Sequence, residues 1–300
     1  MKKEDLHGFV PAVVTPFNDA GEIMEDAFQS LVSWLIGQGA TAICVSGDNG
    51  ESWALSAAEK GRLTRLAVDE AAGRVPVITG CSATTLKNSV DFALAAKENG
   101  AAAVLSMPQT YVLKTTRDEL LSRFEKLNAA IQMPIVSYNS PRRAGLNLSL
   151  DDIGAIMDVA PIIGIKESNR DYFHHTHLIK RFGDKMAIMV GPCHYIMPGI
   201  ALGAHGFIAT GPEFLGADTA NIATLAKEKP GDKQADIHYK LTVLYELLMG
   251  HSTWPAAFKA ALNLIGQPAG VPRDPVHAAT PDVVDAIKET FDMLGISYQS

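Results

Sequence analysis

Cysteine is scarce in this chain of 300 residues, and the three present (Cys44, Cys81, Cys193) are odd in number and irregularly spaced. That fits reduced cytosolic thiols better than a disulfide framework or a zinc site. Clustered cations are missing as well. With a formal net charge of −7 and no block of Lys or Arg, no nucleic-acid partner is expected, because binding a phosphate backbone requires such clusters. No apolar run approaches the roughly 18 residues of a membrane span. The opening MKKEDLHGF turns acidic where a secretory signal would continue into apolar residues. No membrane association is expected, and the assigned compartment is the cytoplasm. Low complexity, linker-like breaks and long internal repeats are also lacking. What remains is 47% hydrophobic and 20% charged, enough to bury a large core, and a single α/β barrel domain can reach this length.

Short β-branched runs alternate with longer amphipathic stretches every 25 to 30 residues or so, the rhythm of repeated βα units. Eight such runs occur: GFVPAVVTPF (8–17), ATAICVSG (40–47), VPVITGCS (75–82), AAAVLSMP (101–108), PIVSYNSP (134–141), IIGIKES (162–168), MAIMVGP (186–192) and AHGFIATG (204–211). Near-continuous apolar strands imply burial on both faces. Eight parallel strands with their helices make a (β/α)₈ TIM barrel, an α/β fold whose site lies at the C-terminal strand ends. An open doubly wound sheet is the alternative, but it needs a glycine-rich phosphate turn after the first strand, and VVTPFND is not one. Four helical segments follow, near 216–229, 233–249, 253–265 and 281–294. The first serves as the eighth barrel helix. The expected organisation is a barrel over 1–230 and a C-terminal helical extension over 231–300, packed on it as one structural unit.

The run PIIGIKESN carries a charge where so apolar a strand would avoid one, at Lys166. Strand alternation puts Ile162, Gly164 and Lys166 on one face and Ile163, Ile165 and Glu167 on the other. Periodicity does not say which face looks inward. A lysine facing inward is desolvated, and burial favours the neutral amine, which can attack a carbonyl; free in water only roughly one in a few thousand lysines is neutral at pH 7. The alternatives are a carboxylate partner or a head group that reaches water. Tyr138 ends the preceding run 28 residues earlier, one βα unit away. A phenol beside a Schiff-base lysine relays protons; a phenol bonded only to backbone does not. In VSGDNGES, Gly47 and Gly50 allow backbone N–H groups to converge on an anion, or mark a plain βα turn.

GxxGES at 47–52, YNxPxRxG at 138–145 and GIKES at 164–168, with PAVVTPF (11–17) and GFIATG (206–211), resemble the dihydrodipicolinate synthase and N-acetylneuraminate lyase family over nearly the whole chain. That resemblance implies a (β/α)₈ Schiff-base lyase with no cofactor or metal and a homotetrameric assembly. It implies that Lys166 forms an imine with a small 2-oxo acid such as pyruvate and that Tyr138 shuttles protons. It places Asp48 and Asn49 at the substrate carboxylate, Ile208 against it by main chain, Arg143 at a distal acidic group, and Thr15 on the same rim.

The departures from the family pattern narrow the function. Where the synthases carry Thr-Thr and the neuraminate lyases Ser-Thr, this chain has Asp48-Asn49. An ionised Asp48 a few Å from a substrate carboxylate would be repelled by on the order of kcal/mol, so it points away, is protonated, or acts on a substrate hydroxyl. The last option suits an aldolase or dehydratase. MPQTYVLKTT displaces or removes the relay tyrosine that synthases bring from a neighbouring subunit, here Tyr111. Cys193 and His194 stand where the neuraminate lyases bind a polyol with acidic residues, which leaves His194 as a hydrogen-bonding candidate for a distal substrate group. HHTH (174–177) reads as a solvated helix face rather than a metal cluster, and CSATT (81–85) as a strand end and helix cap. The expected function is a pyruvate-type aldolase or 2-keto-3-deoxy acid dehydratase. The alternatives are 4-hydroxy-tetrahydrodipicolinate synthase, a non-catalytic 2-oxo-acid-binding regulator, and a metal-dependent barrel hydrolase.

Overall fold

A computed structural model describes residues 1–112 and 114–299. Leu113, inside the expected relay segment, and Ser300, the last residue of the expected extension, lie outside the described residues. The eight strands are β1 (Gly8–Phe9), β2 (Ile43–Val45), β3 (Val77–Gly80), β4 (Ala103–Ser106), β5 (Ile135–Asn139), β6 (Ile162–Glu167), β7 (Ala187–Val190) and β8 (Gly206–Phe207), and each falls inside its sequence run. All pair in parallel in the order β1-β8-β7-β6-β5-β4-β3-β2. The chain just past β1 then closes the ring on β2: Ala12 bridges Cys44, Val13 N–H donates to Cys44 O at 2.9 Å, and Cys44 N–H donates to Pro11 O at 2.9 Å.

The helices are α1 (Glu25–Gly37), α2 (Ala57–Ala71), α3 (Leu86–Glu98), α4 (Arg117–Ile131), α5 (Pro141–Ala144), α6 (Leu150–Val159), α7 (Tyr172–Phe182), α8 (Ile196–Ala201), α9 (Ile222–Leu225), α10 (Asp232–Gly250), α11 (Ala256–Leu264) and α12 (Pro281–Leu294). Capping boxes start three of them: Ser56 with Glu59, Thr116 with Glu119, and Ser149 with Asp152 satisfy donors that a helix N-terminus otherwise leaves open. Where a helix was expected at 216–229, a 3₁₀ segment, Pro212–Asn221, broken at Gly216 (φ 57, ψ −127), overlaps its start, and only Ile222–Leu225 is α-helical.

Two apolar layers follow from strands buried on both faces. Phe28, Leu63, Phe124, Ile165 and Ile188 belong to the layer between strands and helices. Leu6, Val10, Cys44, Ile78, Leu105, Val136, Met189 and Ile208 fill the lumen, so the barrel is packed rather than open. Leu6 enters because Gly164 lacks a side chain; a Cβ there would stand 2.5 Å from Leu6 Cδ2.

Strict alternation in β6 fails at its start. Ile135 pairs with Ile162 but the next residue, Val136, pairs with Gly164, a bulge that leaves Ile163 extra. Ile162 therefore joins the outer layer with Ile165, and Ile163 packs against the lumen layer, contrary to the faces expected for both. From Gly164 onward alternation is regular, and Lys166 keeps its inward direction.

Candidate active site

Lys166 sits near the rim end of β6, in register with Tyr138 on β5 and Met189 on β7. It is 5% exposed, and its Nζ lies 4.6 Å from the centre of the Tyr138 ring, which is equally buried. The carboxylates of this rim are engaged elsewhere. Glu167, the outward neighbour, accepts from Asn139 Nδ2 at 3.0 and 3.1 Å and from Asn169 N–H at 2.7 Å, and lies 3.2 Å from His174 Nε2. Asn139 Oδ1 in turn accepts from Leu148 N–H. The outward residues of the two motifs thus tie the ends of β5 and β6 together, which holds Tyr138 beside Lys166.

A cavity of about 50 Å³ opens at the lysine, lined by Tyr138, Asn49, Ser140, Ser168, Ile208 and Thr210. Tyr245, Met249 and Trp254, from α10 and the turn after it, line it too. At roughly 10–15 Å³ per water-sized probe, it has room for a few heavy atoms of a small acid.

The β2 loop supplies its next wall. The left-handed residues there are Ser46 (φ 52) and Glu51 (φ 54), not the glycines from which the turn was expected to draw its freedom. Gly50 is required by closeness instead: a Cβ would meet Val13 O at 3.0 Å and Ser46 N at 3.2 Å. Thr15 does not line the cavity; its hydroxyl donates to Gly50 O at 2.8 Å and props the loop from behind. Glu51 is fully buried against Lys259 Nζ at 2.5 Å and accepts from Arg273 N–H at 2.8 Å. Lys259 also donates to Thr15 O at 2.7 Å and Val271 O at 2.6 Å. Burial lowers the Lys259 ammonium to about 8, with Glu51 pulling the other way.

Asn49 uses its side-chain N–H groups on Ala12 O (2.9 Å) and Thr210 Oγ1 (2.8 Å). As an acceptor in that bond, the Thr210 hydroxyl keeps its own proton for the cavity. Thr210 was not among the candidates from sequence; the signal was present in GFIATG, which ends one residue after it.

Asp48 and Arg143 meet across the mouth. Asp48 Oδ2 accepts from Arg143 Nε at 3.0 Å and from Nη2 at 2.8 Å. Arg143, expected at a distal acidic group, thus bonds the protein's own carboxylate, and Asp48 Oδ1 stays outside the pair. On the far side of the pair lies a second cavity of about 360 Å³, which Ser46, Gly47, Met107 and Thr110 line and which shares Asp48, Arg143 and Tyr138 with the first.

His194 is not brought to Lys166. It lines a neighbouring cleft of about 720 Å³ with Arg170, Tyr195 and His238, which shares Tyr245 and Met249 with the lysine cavity, and it packs edge-on against Tyr195 at 4.4 Å and tilted on Tyr245 at 5.1 Å. Burial, with the charge of Arg170, lowers its pKa. Tyr111 projects outward, 90% exposed and with φ 72. The solvated face expected for HHTH holds only for His177: His174 packs against Glu167, and His175 is buried with Nε2 2.8 Å from Asn169 O. The three thiols are free and buried, and burial pushes Cys44 and Cys81 up to about 11. Among the described residues no helix is long and apolar enough to cross a membrane, and no group of three His, Cys, Asp or Glu is placed to hold a metal ion.

The model of the Dihydrodipicolinate synthetase family matches residues 5–293. The 4-hydroxy-tetrahydrodipicolinate synthase of Methanopyrus kandleri is 30% identical over 97% of each chain, and that of Sorangium cellulosum is 33% identical over 93% of each. Among solved structures, the dihydrodipicolinate synthase of Acinetobacter baumannii in complex with pyruvate superposes with a TM-score of 0.90 at 26% identity, covering 97% of this chain and 99% of that one.

Proposed function

The chain belongs to the dihydrodipicolinate synthetase family, a Schiff-base-forming lyase of small 2-oxo acids, and on that premise we propose that Lys166 is its imine-forming amine and Tyr138 its proton shuttle. The observation that carries this reading is an inward-facing, buried lysine at a strand end, beside a phenol and a small cavity, with the neighbouring carboxylates committed elsewhere.

The chemistry follows from that geometry. Neutral Nζ adds to C2 of the 2-oxo acid, and the C2 oxygen departs as water after taking up protons, one of them delivered by Tyr138. The protonated imine then draws electrons from C3, so that a C–C bond forms or breaks between C3 and C4, or a C4 hydroxyl leaves as water. The Thr210 hydroxyl and the backbone at Asn49 and Ile208 hold the substrate carboxylate. Asp48, with its second oxygen outside the ion pair, takes the C4 hydroxyl proton when C3–C4 breaks; in the elimination it takes the proton lost from C3 and passes it to the departing C4 hydroxyl. That places an aldolase or a 2-keto-3-deoxy acid dehydratase ahead of 4-hydroxy-tetrahydrodipicolinate synthase, which the names of the relatives support as the second reading.

Assembly and compartment belong to the same proposal. We assign the enzyme to the cytoplasm and to a homotetramer, in which the exposed Tyr111, Val112 and Trp53 meet a neighbouring subunit. The test of the reading is borohydride reduction in the presence of pyruvate followed by peptide mass spectrometry. A stable adduct on Lys166 is expected; an adduct on another lysine, or none with any 2-oxo acid, overturns it. A substrate panel read for pyruvate release against water loss separates aldolase from dehydratase.

A further inference from the structure

We propose that the Asp48–Arg143 ion pair sets substrate selectivity at the mouth of the lysine cavity, admitting 2-oxo acids with an uncharged, hydroxyl-bearing tail and rejecting those with a second carboxylate. This inference rests on the imine reading of Lys166.

The pair leaves much of its hydrogen-bonding capacity unused. Both guanidinium bonds end on one oxygen, Asp48 Oδ2. Oδ1 remains open as an acceptor, and Arg143, with five N–H donors in all, retains about three. A tail entering from the lysine therefore meets an acceptor and several donors whose charges cancel. Hydroxyl groups, which both donate and accept, satisfy such a surface. A carboxylate does not: to reach Arg143 it must approach Asp48, and it either suffers the like-charge repulsion or displaces Asp48 from its partner. The pair is only partly hydrated, with the side chains of Asp48 and Arg143 17% and 30% exposed, so solvent does not erase that repulsion.

Its position makes the pair decisive. Asp48, Arg143 and Tyr138 line both the 50 Å³ cavity at Lys166 and the 360 Å³ cavity beyond, so a tail that extends from C3 into the larger space passes the pair. The other charges at the mouth do not substitute for it. Arg142 also lines the lysine cavity but is solvent-exposed, where its field is screened. Glu51 is consumed by Lys259, and Lys60 lies behind the loop with Ser46 O, Ser52 Oγ and Gly80 O as its acceptors.

The test uses imine trapping rather than turnover. For each 2-oxo acid, Nζ–C2 forms, the C2 oxygen leaves as water, and borohydride supplies hydride to C2, fixing a secondary amine on the lysine. The probes are 5-hydroxy-2-oxopentanoate and 2-oxoglutarate, equal in carbon number and different in tail charge, with the half-labelling concentration as readout. The wild-type protein is expected to label with the hydroxy acid at a concentration at least about tenfold lower, equivalent to about 1.4 kcal/mol. In Asp48→Asn and Asp48→Thr the ratio shifts by at least that factor toward 2-oxoglutarate, because Arg143 is then free. A wild-type ratio near one, a wild-type preference for 2-oxoglutarate, or a ratio unmoved in variants that melt normally overturns the proposal while leaving the imine intact. Should a variant fail to fold, the wild-type ratio alone decides. Failure of pyruvate itself to label Lys166 marks instead the collapse of the imine reading, and the selectivity proposal falls with it.

Discussion

Lys166 and Lys60 are both buried near the rim of one barrel, and among the described residues no carboxylate pairs with either nitrogen. Lys60, on α2, reaches the loop after β2, where Ser52 Oγ (2.6 Å), Gly80 O (3.3 Å) and Ser46 O (3.5 Å) surround its nitrogen and the Phe92 ring lies 4.8 Å away. Burial pushes it down to about 7. Lys166 instead faces a cavity and a phenol. A third buried amine, Lys259, holds Glu51 and two carbonyls. Burial thus lowers the charge affinity of Lys60 and Lys259, and it does not by itself make a nucleophile. What sets Lys166 apart is empty space at the nitrogen and a phenol next to it; the other two nitrogens are saturated by protein oxygens.

Four substitutions bear on this contrast. The largest effect belongs to Lys166→Met, which should abolish the pyruvate adduct and lower turnover by at least about ten-thousandfold, with a melting temperature no lower than wild type; residual adduct on Lys60 would erase the distinction. Next, Tyr138→Phe should slow turnover by about a hundred- to ten-thousandfold, the range of general acid–base catalysis, while mass spectrometry still finds a slowly formed adduct on Lys166. Full activity would mean that the phenol is only a neighbour. Lys259→Met acts on stability: it leaves Glu51 charged and buried, and should cost about 3–5 kcal/mol in urea unfolding. Replacing Glu51 with Met as well should recover most of that loss, and a neutral single variant would show that the pair is not what anchors the loop.

The smallest effect is expected for Lys60→Met, and it is legible in pH dependence. Lys60 titrates near 7 in the folded protein, below its usual 10.5. Between those values the unfolded chain binds the extra proton, so Lys60 contributes a rise in stability as pH increases through that window. Below about 7 both states are protonated and the contribution is flat and unfavourable. Unfolding of the Met variant at pH 7 and pH 9 should show a smaller gain with pH than wild type; identical gains would mean that the Lys60 amine is hydrated after all.

The sequence carried the barrel because each strand is buried on both faces and so appears as a run of apolar residues, a local signal. The juxtaposition of Tyr138 and Lys166 was legible for the same reason, as a spacing of one βα unit between two strand ends. What escaped was non-local or depended on backbone detail. Asp48 and Arg143 lie 95 residues apart, and no periodicity links a β2 loop to a β5 loop. The anchoring of Glu51 by Lys259 and Arg273 joins segments more than 200 residues distant. The bulge at Ile163 adds one residue to a strand without altering its composition, so alternation placed two isoleucines on the wrong faces. His194 was assigned by homology of position, and one turn of backbone after β7 sufficed to carry it to a neighbouring cleft.

Leu6 stoppers the lower end of the lumen, seated in the space that Gly164 leaves. No route to Lys166 therefore runs up through the lumen from below. If Lys166 forms an imine as proposed, the water it releases leaves on the rim side of the barrel, the side from which the acid arrives.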